Sequence, residues 1–588
     1  MRKPKAGERR KRRGSGPRRQ ERPEFGTLGA ALSAAEKQDL GNLRERLVRR
    51  VSEVVEAQRA RRRHETPPWH AELQTRRSIA GQTARTQRGW RGGHGSRPRD
   101  VSKARTTEYE SHATGVFGPQ RSPVPERTSR RVGFQFWTLP SGFRVSERPP
   151  SETSKPDRAR FDEIARAASV GPQGGDLLFL TIGLDFGTSS TKVIVRMPYE
   201  STEPAIAIPA PEHCRSGGHP YLWRTAVWLD ESGSFKAYAG GSSVLVDDLK
   251  WGMIERRTRE CVVRESSPTT ERVTRIDAAT AYVAYVIRYT EGWLLRNRER
   301  LFRGRAPVWF VNIGVPASNY DDQELFAEYR LSAAAAFSLA HSHEAVCADT
   351  VKTFLRNEDV KKAAGFAEAA ADLGVAIIPE VAAGATGFAK SDESTTGLYL
   401  MADVGAATLD VCMFRLHKNL TEPDRYLLLE THVQALGVEA YHSFRKEGRT
   451  DRGFAEQCDR CLREVIWKAK LNRDPKNFCW RPGGDLPVFL LGGGAGHRLH
   501  RAVVESLDPW LKQHAGSQGI RLVSSPTPEC DLPEPVDDDW FDRMAVAWGL
   551  SFPPTDAGGI EPGSKIRDIP GPASKDWRSF FPSKDAAQ

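Results

Sequence analysis

Three apolar runs that break at glycine set the pattern of this chain. Leu177–Met197 reads LLFLTIGLDFGTSSTKVIVRM. An apolar run climbs to Asp185, turns at Gly187, passes four hydroxyl side chains and Lys192, and closes on Val193–Val195. Runs of this length, rich in Ile and Val, predict the two buried strands of a hairpin with a polar tip. Gly397–Phe414, GLYLMADVGAATLDVCMF, repeats the plan with Asp403, Gly405, Thr408 and Asp410. Pro487–Leu499, PVFLLGGGAGHRL, predicts a strand and then Gly492, Gly493 and Gly494 opening a helix. Between and around these, the spacing predicts helices at 278–301, 322–341, 363–373, 381–390, 454–471 and 540–550. Strands are expected at 222–228, 235–238, 308–315 and 426–433, so the class is α/β.

The polar tips carry the chemistry. Gly187 is expected to take a positive φ and let the backbone approach a ligand. Thr188, Ser189 and Ser190 offer hydroxyls and backbone N–H groups to an anion. A carboxylate among such groups repels phosphate unless a cation lies between, so Asp185 implies Mg²⁺ reached through water. The run of glycines at 492–494 lets a flat base or a phosphate touch backbone.

Two strand–Asp–x–Gly–turn–strand units followed by a glycine turn resemble, in this order, the actin-like ATPase superfamily. Its members include actin, DnaK-type heat-shock chaperones, plasmid-segregation actins and sugar kinases. The resemblance covers about 176–552 and implies a two-lobe fold of duplicated ribonuclease-H-like domains that binds ATP or ADP with Mg²⁺. It implies Asp185 and Asp403 as holders of the hydrated Mg²⁺. Gly187, Thr188, Ser189, Ser190, Lys192, Gly405 and Thr408 would hold phosphates, and Gly492, Gly493 and Gly494 the adenosine. Glu380 or Asp410 would orient the attacking water. Ala435–Tyr441, ALGVEAY, resembles the chaperones' Leu-Gly-Gly-Glu turn and adds Gly437. Lys470 falls where the chaperones place a nucleotide-contacting lysine. Their catalytic lysine lies in a Gly-Asp-Ala-Ala-Lys turn, where this chain has Gly240–Val244 without lysine. Lys192, seven residues after Asp185, has the spacing of the actin phosphate-binding lysine; it is expected at a solvent-facing strand end and as the fixed cation that hydrolysis needs, with Lys250 the alternative source of that charge. Ala406 and Ala407 stand where the chaperones have two glycines. No segment resembles the chaperones' β-rich peptide-binding domain. The expected activity is slow ATP hydrolysis that changes the lobe angle and regulates a protein partner. An actin-like nucleotide-gated scaffold or filament, a pseudo-ATPase and a sugar kinase are the alternatives.

Charge divides the chain. The 588 residues carry a net +12, yet residues 1–175 hold 39 Lys+Arg and 19 Asp+Glu, a balance of +20 against −8 in the remainder. Hydrophobic residues make up 39 %, low for one globule, which points to unstructured segments. These are expected in a basic extension over 1–132 (with one amphipathic helix near 31–63), a linker over 133–175 and a Pro/Gly-rich tail from 553 to 588. Phe134–Val145 is an aromatic island expected to dock on the core. The eight cysteines are scattered and form no disulfide framework; Cys458-x-x-Cys461 alone is a weak zinc signal. With no membrane-length apolar run and no secretory core after the basic start, a cytoplasmic protein without membrane contact is expected. Any nucleic-acid binding should reside in 1–132 and fall steeply with salt. Filter binding at two salt concentrations, with and without 1–132, checks this; equal binding by the truncated chain would refute the electrostatic assignment.

Overall fold

The computed structural model describes residues 136–139, 160–165 and 176–566, with breaks at 201–202, 240–242, 263–271, 420–422, 525, 538–539, 555 and 557. The expected basic extension, its helix at 31–63, most of the 133–175 linker and the tail from 567 lie outside the described residues.

Two large mixed sheets organise the rest. In the first, the strand order is Cys530–Asp531, Ala205–Ala207, Ser190–Arg196, Asp176–Asp185, Arg305–Val315, Val375–Pro379. Asp176–Asp185 pairs antiparallel with Ser190–Arg196 and parallel with Arg305–Val315. This central strand is buried on both faces, which is why it reads as a continuous apolar run. In the second sheet the order is Ile520–Val523, Leu486–Leu491, Gly397–Val404, Leu409–His417, Arg425–Gln434, Gly559–Glu561. Again an antiparallel hairpin has a later strand, Leu486–Leu491, added in parallel to its first member. The chain is therefore α/β with mixed sheets.

Several elements differ from the sequence expectation. Residues 222–228 do not form one strand: Trp223–Arg224 pairs with the first hairpin, while Val227–Leu229 joins a separate three-stranded sheet. The helix expected at 363–373 is broken at the exposed Phe366 into Glu358–Gly365 and Ala367–Leu373. The tail expected to be unstructured from 553 instead adds Gly559–Glu561 as a parallel edge strand beside Arg425–Leu427. Composition misled there, because three residues with an existing edge to pair on need no apolar run of their own.

An apolar cluster spans both sheets. It joins Ile194, Ala207 and Tyr221 of the first-sheet side to Tyr399, Met401 and Phe489 of the second, through the helices Glu380–Ala389 and Trp540–Leu550. These two helices touch backbone to backbone: a Cβ built on Gly549 lies 1.8 Å from the Ala383 carbonyl oxygen. A Cβ on Gly183 of the central strand would lie 2.3 Å from the Ser551 nitrogen. Arg196 is clamped between the Trp548 and Phe552 rings, 4.2 and 3.8 Å from their centroids. The crossing fixes the helix that begins at Glu380. Gly549→Ala should therefore destabilise the chain by about 1–3 kcal/mol, measured as a lower urea midpoint. An unchanged midpoint would show that the crossing can open without cost.

Candidate functional site

Both hairpins present an ionisable pair seven residues apart. In each, the ladder places one residue near the end of the first strand opposite its seventh successor. In the first hairpin Asp185 is opposite Lys192, and in the second Asp403 is opposite Asp410. The first pair closes as an ion pair, with Lys192 Nζ 2.9 Å from Asp185 Oδ2. The second is carboxylate against carboxylate. Lys192 is thus not at a solvent-facing strand end: its side chain is 13 % exposed and lines a cavity of about 250 Å³.

That cavity gathers most of the sequence-predicted residues. Asp185, Gly187, Thr188, Ser189, Ser190 and Lys192 line it from the first hairpin. Asp403, Gly405, Thr408 and Asp410 line it from the second, with Glu380 and Gly492, Gly493 and Gly494 completing it. Two residues are not brought in. Lys470 sits in a π-helical turn, Ala469–Arg473, and folds back so that its Nζ donates to the Ala515 carbonyl at 2.6 Å. Its ammonium lies over the Trp467 and Trp480 rings, where burial lowers its pKa. Gly437 lies one residue behind the wall that Val438 and Glu439 form. Its need for glycine is close approach: a Cβ would sit 2.4 Å from the Ala406 carbonyl oxygen. Through that approach Gly437, Val438 and Glu439 donate N–H bonds to Ala407, Gly405 and Ala406 at 3.0, 3.1 and 2.8 Å. The second tip is laced to this turn. The Ala407 methyl is buried in the apolar cluster of the second sheet, so only Ala406 faces the cavity.

The glycines earn their places differently from the expectation. Gly187 does not take a positive φ. Its constraint is steric, since a Cβ would meet the Ser190 carbonyl oxygen at 2.2 Å. Gly492 has φ +86° and leaves room for the Asp403 carboxylate, which a Cβ would meet at 2.1 Å.

Lys250, expected only as the alternative to Lys192, also lines the cavity. The lysine is absent from Gly240–Val244 but comes six residues later, after the short strand Val244–Val246, in the first turn of the helix Leu249–Ile254. It is buried and forms an ion pair with Glu380, the first residue of its helix. The legible signal was a lysine two residues after a pair of aspartates, Asp247 and Asp248.

Charge is unbalanced in this space. Asp185, Glu380, Asp403, Asp410, Glu439 and Asp542 line the cavity against Lys192, Lys250 and Arg543. Burial raises the Glu380 carboxyl although the Lys250 ammonium opposes it, and Asp185 and Asp403 add to the rise. Burial lowers Lys250, but Glu380 and then Asp185 outweigh it and the ammonium is held more tightly. Asp403 is raised by burial and by Asp185. Asp410 is pushed up to about 8 by burial, then by Glu380 and Asp403. Its Oδ2 accepts the Ala317 N–H at 3.3 Å, and its Oδ1 is buried without a hydrogen-bond partner. All four shifts run toward proton retention, as a site short of positive charge requires.

Three polar tips, an excess of carboxylates and two buried lysines can together hold an anion that brings its own cation. Among the described residues, no group of three or more His, Cys, Asp or Glu side chains is arranged to hold a metal ion directly. The cysteines Cys458 and Cys461 are buried in the second-sheet apolar cluster, not gathered with other ligands. Among the described residues no helix is long and apolar enough to cross a membrane. No protein-family model matches the chain, and none of the curated proteins does.

The folded chain keeps the Asp410 proton up to about pH 8, while the unfolded chain releases it near 4. Its favourable contribution is complete below about pH 4 and is lost as the pH rises through 8. Asp410→Asn should thus stabilise the nucleotide-free protein by about 1–3 kcal/mol at pH 9, with the gain vanishing near pH 4. Urea unfolding across this range measures it; a pH-independent difference would mean that Asp410 does not titrate there.

Proposed function

We propose that this protein is a two-lobe, actin-like nucleotide-binding protein. It binds ATP with Mg²⁺, hydrolyses it slowly and uses the resulting change of lobe angle to regulate a protein partner. Within that superfamily the reading is nearest to the heat-shock-70-like ATPase domain without a peptide-binding domain. The observation that carries it is the meeting of both hairpin tips and the glycine turn on one cavity with six acidic and three basic side chains. A polyphosphate entering alone would be repelled, whereas a polyphosphate with a divalent cation corrects the imbalance.

The residues present fit such a ligand. Asp185 and Asp403 would hold the hydrated Mg²⁺, which supplies charge neutralisation and orientation of the phosphates. Their separate positions on two hairpins suit contact through water, in keeping with the lack of a direct ligand cluster among the described residues. Thr188, Ser189, Ser190, Gly405 and Thr408 offer hydroxyl and N–H donors on two sides. Gly493, where a Cβ would meet nothing within 4 Å, leaves open backbone surface suited to the nucleoside.

Two fixed cations have separate tasks in this reading. Lys192 is balanced by Asp185 within its own hairpin and serves binding. Lys250 approaches from another wall, held by Glu380 across the cavity, and offsets charge that develops on the transferred phosphoryl group. Asp410, with one oxygen fixed by Ala317 and the other unpartnered, orients the water whose oxygen attacks the terminal phosphorus, and the water's protons leave with the phosphate. The bond from that phosphorus to the bridging oxygen breaks, and ADP leaves with the electron pair.

Calorimetry of ATP with and without Mg²⁺ tests the binding half. Asp185→Ala should weaken Mg·ATP by far more than Mg-free ATP; equal losses would remove the cation role, and no binding by the wild type would overturn the reading. Single-turnover hydrolysis tests the lysines. Lys250→Ala should slow the chemical step by about 10²-fold or more, while Lys192→Ala should mainly weaken binding, by roughly tenfold. A normal rate in Lys250→Ala would return the catalytic charge to Lys192. Tight binding without any hydrolysis by the wild type would make the protein a pseudo-ATPase.

A further inference from the structure

A short segment far from the hairpins in sequence is seated in a built receptor. Residues 136–139, the aromatic island expected to dock on the core, lie on the second-sheet side. The Trp137 backbone N–H donates to Gln457 Oε1 at 2.7 Å and its indole N–H to Glu447 Oε2 at 3.0 Å. The indole stands edge-on to Phe444, with centroids 5.3 Å apart, and Phe136 stands edge-on to His432 at 5.5 Å. Trp137 and Leu139 are 8 % and 9 % exposed. Gln457 is itself buried, on the helix Asp451–Lys468. Without the segment its acceptor would lose this buried partner, which costs more than a surface hydrogen bond returns.

The apolar cluster that Trp137 and Leu139 enter is built from residues 398–520, with Ile566 at its edge and one further contribution. That contribution is Trp251, 7 % exposed, with the half-buried Ile254 beside it. Both belong to the helix Leu249–Ile254, whose preceding residue in the same turn is Lys250. One six-residue helix thus sends its lysine into the cavity and its tryptophan into the cluster that seats Trp137. A helix this short has little stability of its own and takes its position from packing. The chain engages the other side as well at 160–165. There Phe161 stacks on Tyr289 at 5.4 Å, and a Cβ on Gly292 would meet the Ile164 carbonyl oxygen at 1.7 Å.

We propose that residues 136–139 are an internal brace and that Trp137 is a positioning residue for Lys250, acting through Trp251. The brace ties the lysine helix of the first-sheet side to the helices Val438–Lys446 and Asp451–Lys468 of the second. Its consequence for turnover rests on the ATPase reading above; its structural content does not. The bare observation that aromatics fill a groove would be met by any bulky residue. The two hydrogen bonds and the shared cluster make the demand specific to this segment.

The test uses the full chain with Trp137→Ala, Trp137→Phe and Gln457→Leu. Hydrogen exchange of the nucleotide-free proteins is read at 249–254, at 438–446 and at 275–297. Trp137→Ala should speed exchange at 249–254 by roughly tenfold or more and leave 275–297 unchanged. Trp137→Phe, which keeps the ring and loses the indole N–H, should give a smaller rise. Gln457→Leu, which removes the acceptor together with the 3.4 Å bond from Gln457 Nε2 to the Gly453 carbonyl, covers the case in which Trp137→Ala fails to fold, and should speed 249–254 as well. Unchanged exchange at 249–254 in Gln457→Leu and in the folded Trp137 variants overturns the brace, whatever the turnover. On the ATPase side, Trp137→Ala should lower kcat by about 10²-fold with little change in KM for Mg·ATP, as a displaced catalytic cation requires. Rescue toward wild-type kcat by Phe supports positioning, whereas a raised KM with unchanged kcat would overturn the link to Lys250. Altered exchange in a protein that never hydrolyses ATP supports the brace and refutes only the catalytic reading.

Discussion

The constraint on which the site depends is the burial of four carboxylates beside two ammonium groups. Asp185, Glu380, Asp403 and Asp410 converge because each hairpin fixes a residue opposite its seventh successor and because Glu380 opens a helix at the end of a parallel strand. Isolated buried ions are expensive to hold and the partners compensate only in part. The raised Asp403, Asp410 and Glu380 record the remainder. A protein that keeps such an arrangement spends stability on it.

How far the sequence revealed this can be read from particular residues. The strands carrying Asp185 and Asp403 were legible because buried parallel and hairpin strands demand unbroken apolar runs, and the polar tips interrupt those runs abruptly. The spacing of seven was visible too, but its meaning was not. Only the register shows that Lys192 faces Asp185 inside the cavity and that the equivalent place in the second hairpin is an aspartate. Lys250 could be named only as an alternative, because its helix is six residues long and follows a three-residue strand, too short for periodicity to register. Lys470 misled for the opposite reason. The helical pattern up to Lys468 was strong, yet the π-turn that follows rotates Lys470 away and gives its ammonium to Ala515 and two indoles. Gly187 was placed correctly and explained wrongly, since the crowding comes from Ser190 and not from a positive φ. The strand at Gly559–Glu561 could not be read at all, because its stability belongs to the edge that receives it.

The two sheets are joined in ways that differ in stiffness. Below the cavity, the Gly549–Ala383 and Gly183–Ser551 approaches bring backbone onto backbone, and tyrosine and phenylalanine side chains from both sheets fill the cluster around them. Such packing has no small adjustment open to it, because interiors at this density respond to a lost or added methyl group as a whole. Near the lysine helix, the connection is made by Trp251, Trp137 and Leu139, a few side chains whose partners are hydrogen-bonded one at a time. Were the sheets to move relative to one another, a joint dense on one side and sparse on the other would favour rotation about the dense side. The residues that such a rotation would carry apart first are Lys250 and its surroundings, which is where the charge excess of the site is met by its most deeply buried cation. Conformation and charge are therefore coupled through one helix: whatever fixes Trp251 also fixes how much of the carboxylate field Lys250 can cancel.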